Sequence, residues 1–517
     1  LYLNLVDLMI INILNLMTNR YFRFFLLLVI LGCTSSSDSR KNEWQIHYFT
    51  LGKNNRTIAE WEPSSGTLIT WPLCIPFKLA VELAKDNHLY TLVSDVKSKN
   101  EAEDWYQKWA ISDTNNTFII TPLGIDGWWT RDWGPSGIFT NDGNLHLGDG
   151  KYIYATPNSG PECKAPLQFI YKNDNNEIIK TEIDDYATLP VGKALNIPVL
   201  DLPYINTGGN VLTDGLGTAF SSCILLNENE FFKVSKEKFF QLNKTLSGYQ
   251  NYHILSNFEK NGIQHLDCFM KLLDEERMLV ALPPSNHELF PLYENIVNNE
   301  LKNLTNSYGR PYEILRIKTA PYRLDNLAAY TNSLILNKTI YVPLFQIPED
   351  KTALETWQKV MPGYTVKGFT FALKDEPLVS PEMKKHYRDY GWNHGDALHC
   401  RTRAIWDKDM LFITFKKLPA MVEAGEPLTV YATIIDYSKK GLEKDAQKLY
   451  WRPKGKKEWN EIPLKKDGDI TRYKTDISLQ KGQKGIFEYY ISAASLSGKK
   501  ENKPRTAPEG FYTVEVK

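Results

Sequence analysis

Five segments of this sequence share one pattern, a cluster of polar side chains that leads into an apolar run with the composition of a strand. They follow one another at intervals of roughly 55 to 80 residues. The segments are Trp129-Thr-Arg-Asp132-Trp-Gly-Pro-Ser-Gly-Ile-Phe139, Gly208-Gly-Asn210-Val-Leu-Thr-Asp214, His265-Leu-Asp267-Cys-Phe-Met270, Tyr330-Thr-Asn332-Ser-Leu-Ile-Leu336 and His399-Cys400. The series favours a ring of similar modules whose polar ends converge on an axis. The irregular spacing leaves an ordinary alternative open, because polar residues end strands in any α/β protein.

Strand-like and helix-like stretches alternate from about Trp44 to Lys417, which predicts an α/β or α+β domain. The first of them are a strand at Thr67–Trp71, a helix at Phe77–Lys85, a strand at Leu89–Val93, a helix at Ala102–Ala110 and a strand at Thr117–Thr121. We place the boundaries of this domain at residues 40 and 414.

The texture changes after Phe415, where short alternating runs are separated by turns rich in Lys, Gly and Asp. Predicted strands are Glu426–Ile435, Leu449–Arg452, Tyr473–Ser478, Ile486–Ala493 and Gly510–Val516. About 100 residues of such strands indicate an all-β, immunoglobulin-like sandwich over residues 415–517. This region has no chemical motif, so we expect it to be an accessory or packing domain.

Composition excludes several classes of protein. The 61 basic residues balance the 61 acidic ones, so nothing favours a nucleic-acid partner. The six cysteines show no metal-ligand spacing. A Cys163–Cys223 disulfide is compatible with the sequence but is not determined by it.

The first 39 residues have the character of an export segment and a tether. Met17-Thr-Asn-Arg20-Tyr-Phe-Arg23 is basic, a short apolar run reaches Leu31, and a Ser-rich stretch follows Cys33. Ile30-Leu-Gly-Cys33 resembles a bacterial lipobox, so we predict acylation of Cys33 and a cell-envelope lipoprotein anchored to a membrane by that lipid. A cleaved signal peptide that includes Cys33 is the alternative, and a transmembrane anchor is a third if residues 1–16 are genuine.

Four of the polar residues form a reactive set: Cys400, His265, Asp267 and Asp132. On a strand, residues i and i+2 face the same side, so a strand at 265–267 would direct His265 and Asp267 into one pocket. Cys400 is a candidate nucleophile, and Arg401, Arg403 and the nearby histidines could lower the pKa of its thiol.

Two carboxylates, a thiol and an imidazole suit a guanidinium substrate. The planar cation can be gripped by Asp132 and Asp267, and its central carbon is then open to a thiolate. His265 could protonate the departing ammonia and later activate water. Trp129 could pack on the cation or on its aliphatic stem.

Other readings of these residues stay open. A Cys-His-Asp protease needs only one carboxylate, to orient its histidine. Asp132 could pair with Arg131 or cap a turn, and His265 could be a buried structural histidine. Asn210 and Asn332 are as compatible with holding turns as with contacting a substrate.

The motifs, in their order, resemble those of the agmatine deiminase and bacterial peptidylarginine deiminase superfamily over roughly residues 56–410. The resemblance rests on Glu60-Trp-Glu-Pro63, Trp71-Pro72 and the polar clusters given above. Gly395-Asp-Ala-Leu-His-Cys400-Arg-Thr-Arg403 and Thr207-Gly-Gly-Asn-Val-Leu-Thr-Asp-Gly215 are similar to the Porphyromonas-type enzyme in particular.

This resemblance implies a pentein fold, a five-bladed α/β propeller with its site on the axis. It implies Cys400 as nucleophile, His265 as general acid and base, and Asp132 and Asp267 as guanidinium ligands. Asn332 falls at the position of an active-site asparagine, and Gly209 and Asn210 fall in a substrate-binding motif. The resemblance implies that no cofactor is needed.

Two features depart from the Porphyromonas-type enzyme. Its substrate-carboxylate loop contains arginine, whereas the comparable stretch here, Phe169 to Asn176, offers Lys172. A preference for C-terminal arginine is therefore not implied. The sorting domain expected of that enzyme is not found after the predicted sandwich.

We therefore predict a hydrolase that converts peptidyl-arginine to citrulline and ammonia through a cysteine thiouronium intermediate. Its partners would be arginine-containing peptides or proteins, or a small guanidine compound. One alternative is an agmatine deiminase-type enzyme, and the other is a non-catalytic surface binding protein.

Overall fold

The computed structural model describes residues 54–123, 127–152, 155–157, 167–169, 184–259, 263–323, 326–371, 391–392, 395–425, 428–468, 471–479 and 482–517. The predicted export segment, residues 1–39, lies outside these ranges, as do Cys33, Cys163 and Lys172. Among the helices of the described ranges, none is both long enough and apolar enough to cross a membrane.

Five small sheets in the described residues repeat one arrangement, which we call a module. In each module two antiparallel strands are followed by a helix and by a third strand that lies parallel to the second. In their order within each sheet, the three strands of the first module are Arg403–Trp406, Ser64–Thr70 and Leu89–Val93. Those of the other four are Ser136–Phe139, Leu145–Lys151 and Val199–Ile205; Leu212–Thr213, Thr218–Ser222 and Asn251–Leu255; Met270–Leu272, Arg277–Leu282 and Glu313–Lys318; and Leu334–Leu336, Thr339–Leu344 and Thr365–Thr370.

Two modules gain an edge strand: Asn116–Ile120 in the first and Arg56–Thr57 in the second. Two separate hairpins pair Ala155–Pro157 with Leu167–Phe169 and Pro321–Arg323 with Asn326–Leu327. The first module is closed by two distant parts of the chain, since Ser64–Thr70 pairs with Arg403–Trp406.

The helices of the modules are amphipathic and cover the sheets. In Phe77–Asp86 the buried residues Phe77, Ala80, Leu83 and Ala84 follow helical spacing. The corresponding helices of the other modules are Thr188–Leu195, Ile224–Phe231 with Lys236–Leu242, Phe290–Asn299 and Glu349–Val360.

Several shorter elements and one more helix complete this part of the chain. The helix Val96–Lys108 starts earlier than the predicted Ala102, because the Asp95 carboxylate accepts the Ser98 N–H at 2.7 Å and caps its first turn. One-turn 3₁₀ helices occupy Asp113–Asn115, Asp184–Tyr186, Leu266–Cys268 and Leu301–Asn303, a short helix occupies Thr130–Trp133, and a π-helical turn occupies Asn243–Ser247.

The C-terminal part is all β in the described residues and has its own apolar core. One sheet contains Leu411–Thr414, Leu428–Asp436, Arg472–Ile477 and Lys465–Lys466. The other contains Met421–Val422, Tyr512–Val516, Gly485–Ala494, Lys448–Pro453 and Asn460–Pro463, with Lys500–Lys503 paired to Gly485–Ala494. Because Leu411–Thr414 pairs with Leu428–Asp436, the first strand of this region lies just before residue 415.

Buried polar contacts fasten the C-terminal sheets to the modules. Lys503 forms an ion pair with Glu275, and both side chains are almost completely buried. The Tyr308 hydroxyl lies 2.6 Å from that of Thr414, and the Arg310 guanidinium donates to the Lys417 carbonyl at 2.6 Å.

The mixed α/β architecture agrees with the prediction from the sequence. The closed propeller and the immunoglobulin-like topology stay predictions.

Candidate active site

The five polar clusters precede the first strands of the five modules, and they are hydrogen-bonded to one another in a cycle. The bonds are Gly209 N–H to Asp132 Oδ1 (3.0 Å), Asp267 N–H to Gly209 O (3.2 Å), Asn332 Nδ2–H to Cys268 Sγ (3.6 Å), His399 N–H to Asn332 Oδ1 (2.9 Å) and Arg131 N–H to Cys400 O (3.0 Å). Residues far apart in sequence therefore meet at one place, and all five side chains of the predicted catalytic set lie there, each at most 3% exposed.

Asp132 lies on the one-turn helix Thr130–Trp133, which ends at Gly134. The backbone N–H of Gly209 holds its Oδ1 atom, while Oδ2 has no hydrogen-bond partner among the described residues. A buried carboxylate oxygen without a donor is costly. This oxygen is thus available to accept a hydrogen bond from a cationic ligand.

The residues 265–267 do not form a strand, so the predicted i, i+2 alternation is wrong. His265 has an extended backbone and precedes the 3₁₀ turn Leu266–Cys268. The turn nevertheless brings His265 Nδ1 to within 3.5 Å of Asp132 Oδ1. Burial lowers the pKa of His265, but the charges of Asp132, Asp267 and Glu228 outweigh burial and raise it to about 9. The imidazole is therefore protonated at neutral pH.

Asp267 is oriented by a histidine that itself contacts a second carboxylate. His399 Nδ1 lies 2.7 Å from Asp267 Oδ2, and His399 Nε2 lies 2.7 Å from Glu60 Oε2. Burial alone would raise the pKa of Asp267, but the hydrogen bond and charge of His399 lower it below its usual value. Asp267 is thus held ionised. Glu60 also binds Lys271 Nζ at 3.1 Å.

Cys400 has its sulfur between an amide donor and a carboxylate. Asn332 Nδ2 lies 3.2 Å from Cys400 Sγ, and Asp267 Oδ2 lies 3.7 Å from it. Asn332 Oδ1 accepts the backbone N–H groups of His399 and Cys400, at 2.9 and 3.4 Å. The one amide therefore fixes the backbone of the nucleophile candidate and also faces its sulfur.

Comparison with known proteins matches this arrangement to one family. The sequence model of the Porphyromonas-type peptidyl-arginine deiminases matches residues 56–372, which is more than half of the chain. The chain belongs to this family. It is a deiminase of the pentein type by that membership.

Two similar proteins are named agmatine deiminase. One from Yersinia pseudotuberculosis is 24% identical over 349 residues, which are 60% of this chain and 88% of that protein. Another, from Mycoplasma mycoides, is 24% identical over 277 residues, which are 48% of this chain and 71% of that protein.

Solved structures show the same fold. A structure described as an arginine deiminase from Porphyromonas gingivalis is 19% identical, with a TM-score of 0.51, and the match covers 68% of this chain and 98% of that one. A substrate-bound cysteine-to-serine variant of the agmatine deiminase of C. jejuni is 14% identical, with a TM-score of 0.50, and the match covers 68% and 96% of the two chains.

The expected cationic activation of the thiol is wrong for this deiminase. The Arg401 guanidinium donates to both carboxylate oxygens of Asp396, and Arg403 Nε donates to the Pro135 carbonyl at 2.8 Å. A hydrogen bond with Cys268 lowers the pKa of Cys400, but burial and the nearby carboxylates, Asp267 first among them, outweigh it and raise the pKa above its ordinary value.

Gly209 lies between the two predicted guanidinium ligands. A Cβ atom added there would lie 2.6 Å from Asp132 Oδ1 and 3.1 Å from Asp267 Oδ2. Glycine therefore keeps the space between the carboxylates open. Asn210 has a structural contact instead, since its Oδ1 accepts the N–H groups of Ser222 and Leu266 at 3.0 and 3.3 Å.

Trp129 is partly buried at the start of the helix Thr130–Trp133. Its ring packs edge-on against Trp128, with the ring centroids 5.5 Å apart. Its role as a substrate contact stays a prediction, as do the catalytic roles of the other residues.

Three neighbours of the site were not predicted: Glu60, Lys271 and Cys268. Glu60 is part of one of the motifs on which the family resemblance rests. Cys268 directly follows Asp267, so its position in the sequence could have indicated that it lies in the site. Lys271 gave no signal, because its contact with Glu60 spans 211 residues.

One group of potential metal ligands occurs in the described part of the chain. Asp267, Cys268 and Cys400 each place one such atom within 4.8 Å of the others. Thiolates and a carboxylate would suit zinc. The absence of a metal requirement stays a prediction.

Cys223 is disulfide-bonded, and Cys74, Cys268 and Cys400 are free thiols. Because Cys163 lies outside the described residues, its pairing with Cys223 stays open.

Proposed function

We propose that this protein is a hydrolytic deiminase that converts a guanidinium group to a ureido group and ammonia. The observation that supports this proposal is a buried set of two carboxylates, a protonated imidazole and a thiol, in which His265 lies 3.5 Å from Asp132 and Cys400 lies 3.7 Å from Asp267. A guanidinium between Asp132 and Asp267 would satisfy the unpaired Asp132 oxygen and offset two buried negative charges.

The reaction would proceed in two halves. The sulfur of Cys400 attacks the central guanidinium carbon, and ammonia leaves with the proton that His265 supplies. Water activated by the now neutral His265 then attacks the S-alkylthiouronium carbon, and the C–S bond breaks to regenerate Cys400. The raised pKa of His265 suits the first half, because the imidazole begins protonated.

The substrate would itself help to form the thiolate. In the free protein, Asp267 and Asp132 raise the pKa of Cys400. A bound guanidinium brings a positive charge next to these carboxylates and cancels their effect on the sulfur. We therefore expect thiolate to accumulate on substrate binding rather than before it.

Agmatine or a similar small guanidine is the first substrate to test, because two similar proteins and one of the similar structures are named agmatine deiminases. Peptidyl-arginine is the second, because the matching family is named for it. An aliphatic guanidinium is common to both.

The test is an assay of ammonia and ureido product with the full chain. Agmatine, free arginine, a peptide with internal arginine and a peptide with C-terminal arginine are compared, with Cys400→Ala as control. Product from agmatine alone assigns a small-molecule deiminase, and product from either peptide assigns a peptidylarginine deiminase. Ammonia release that persists in Cys400→Ala refutes the mechanism. The absence of product from all four substrates refutes the proposal that the protein is a hydrolytic deiminase.

The five modules would close into the pentein propeller, with this site on its axis. Support comes from the cycle of hydrogen bonds that links the clusters ahead of all five modules. The two C-terminal sheets would form the immunoglobulin-like accessory domain.

Export and lipid anchoring through Cys33 complete the proposal. The lipobox-like sequence that ends at Cys33 is the basis for this part of the proposal. The disulfide at Cys223 supports it, since disulfides persist in oxidising compartments. Incorporation of a labelled fatty acid that is lost in Cys33→Ser tests it, and equal labelling of both proteins would contradict it.

A further inference from the structure

A second thiol lies beside the proposed nucleophile. Cys268 ends the 3₁₀ turn that follows His265, and its Sγ atom, one Asp267 carboxylate oxygen and Cys400 Sγ all lie within 4.8 Å of one another. The Asn332 amide faces both sulfurs, at 3.6 Å from Cys268 and 3.2 Å from Cys400. Both cysteines are 1% exposed.

The separation of the sulfurs is compatible with a bond between them. A disulfide has an S–S length of about 2.05 Å, so the two atoms must approach by at most about 3 Å. A change of side-chain rotamer moves a cysteine sulfur by a distance of this order. Cys268 approaches from the turn Leu266–Cys268 and Cys400 from a different module, so the bond would not have to close a strained local loop.

The other cysteines show that this pairing is particular. Cys223 is already in a disulfide, which agrees with the oxidising compartment of the proposed export. Cys74 is a free buried thiol too, but its sulfur contacts the Thr70 hydroxyl at 3.5 Å and the Trp128 carbonyl at 3.6 Å. Among the described residues, the free thiols thus comprise one close pair and one separate member.

We propose that Cys268 and Cys400 form a reversible oxidation site that hydroperoxides convert to an intramolecular disulfide. Use of Cys400 inactivation as a readout rests on the proposed function, but the disulfide itself does not. Access is expected, because any nucleophile that meets a substrate can meet the smaller hydrogen peroxide.

The chemistry balances in two steps. The thiolate form of Cys400 is a minor fraction in the free protein, because the pKa of this residue is raised, and it is this form that attacks one peroxide oxygen. An S–O bond forms, the O–O bond breaks, and the second oxygen leaves as water or an alcohol after taking a proton. The sulfur of Cys268 then attacks that of the Cys400 sulfenic acid, an S–S bond forms, the S–O bond breaks, and the hydroxyl leaves as water with the thiol proton of Cys268. Overall, two thiols lose two electrons and two protons to one peroxide.

The surroundings of Cys268 favour the second step once the first has occurred. Cys268 is as buried as Cys400 and lies beside it, so its sulfur is placed to meet the sulfenic acid directly. Asp267 Oδ1 lies 3.6 Å from its sulfur and can pass the thiol proton on to the departing hydroxyl. A resolving thiol this close would intercept the sulfenic acid before further oxidation to sulfinic acid, which dithiols do not reverse.

The experiment exposes the full chain to an excess of hydrogen peroxide, because a sulfinic acid forms only when a thiol reacts with a second peroxide. It follows intact mass, a Cys268–Cys400 cross-linked peptide and deiminase activity. We expect the loss of two hydrogens, the cross-linked peptide, and an activity loss that dithiothreitol restores. Cys268→Ser should give no cross-link and should progress to a sulfinic acid at Cys400, with a loss that dithiothreitol cannot restore. Each variant is compared with its own untreated activity.

Cys74→Ser is the matched control, since it removes a buried thiol outside the pair and should behave as the unmodified protein does. Cys268→Ala is a second variant, in case serine disturbs folding, and thermal melting shows which variant is native. Sulfinic acid at Cys400 without a cross-link, at equal rates in the unmodified protein and in Cys268→Ser, would overturn the proposal. A cross-link in a protein without deiminase activity would leave it standing and refute only the proposed function.

Discussion

The amide of Asn332 offers a sharp test of how the nucleophile is stabilised. Its nitrogen faces Cys400 Sγ at 3.2 Å, and its oxygen holds the backbone N–H of His399 at 2.9 Å. Asn332→Asp retains an acceptor oxygen for the backbone and replaces the donor with a second carboxylate oxygen. Asn332→Ala removes both contacts. The pair separates the stabilisation of the thiolate from the support of the backbone.

The magnitude follows from the contact that is lost. A hydrogen bond to a charged group contributes about 1.5–3 kcal/mol in a protein interior. Since about 1.4 kcal/mol corresponds to a factor of ten, removal of the donor should reduce the thiolate population by roughly 10- to 100-fold at a pH below the pKa of Cys400. Asn332→Asp should have at least the larger effect, because it adds a negative charge beside the sulfur.

The assay is the pH dependence of iodoacetamide alkylation at Cys400, followed by peptide mass. We expect the profiles of both variants to move to higher pH. Asn229→Ala is the control: Asn229 is an equally buried asparagine that bonds to the Ile205 backbone and lies outside the site. It should lower stability and leave the alkylation profile in place. An unchanged profile in Asn332→Asp would refute the role of the amide.

Three further outcomes are expected. Asp132→Asn should reduce kcat/KM by a factor equivalent to about 2–5 kcal/mol, measured by steady-state kinetics, because a buried charge partner of the cation is lost; an intact kcat/KM would contradict the ligand role. The pKa of His265 is about 9 in the folded protein and about 6.5 in an unfolded chain, so its contribution to stability is complete below pH 6.5 and is lost as the pH rises through 9. The free energy of urea unfolding should therefore fall over this pH range, and His265→Gln should flatten the fall. Parallel curves of unfolding free energy against pH for the two proteins would exclude this linkage. Lys503→Met should lower the free energy of unfolding by about 3–5 kcal/mol, because Glu275 is left buried and unpaired. Adding Glu275→Gln should recover most of this loss. A double variant as unstable as the single one would show that the broken ion pair does not cause the loss of stability.

Much of the local structure follows from the sequence. The strands around Leu68 and Leu89 and the helix from Phe77 lie close to their predicted bounds, because their hydrophobic periodicity is strong. The error at the helix Val96–Lys108 has a local cause, since a polar first turn capped by Asp95 carries no apolar stripe. The error at His265 has a different cause: a 3₁₀ turn and a strand can both direct two nearby side chains to one site.

The polar clusters were visible because their residue types are unusual at strand ends. What they contact was not visible. The sequence indicated Arg401 as a cation that could lower the pKa of Cys400, but its guanidinium donates to both carboxylate oxygens of Asp396. The hydrogen bond with Cys268 lowers the pKa of Cys400, but burial and the nearby carboxylates raise it overall, opposite to the direction expected.

The sequence by itself determined the mixed α/β class, the order of the polar clusters and the side chains available for chemistry, because these depend on residue type and on short-range periodicity. Only the tertiary structure decided which of them meet. His399 contacts Asp267 across 132 residues and Glu60 across 339. Such contacts depend on how five modules pack together, and together with burial they shift the pKa values of His265, Asp267 and Cys400.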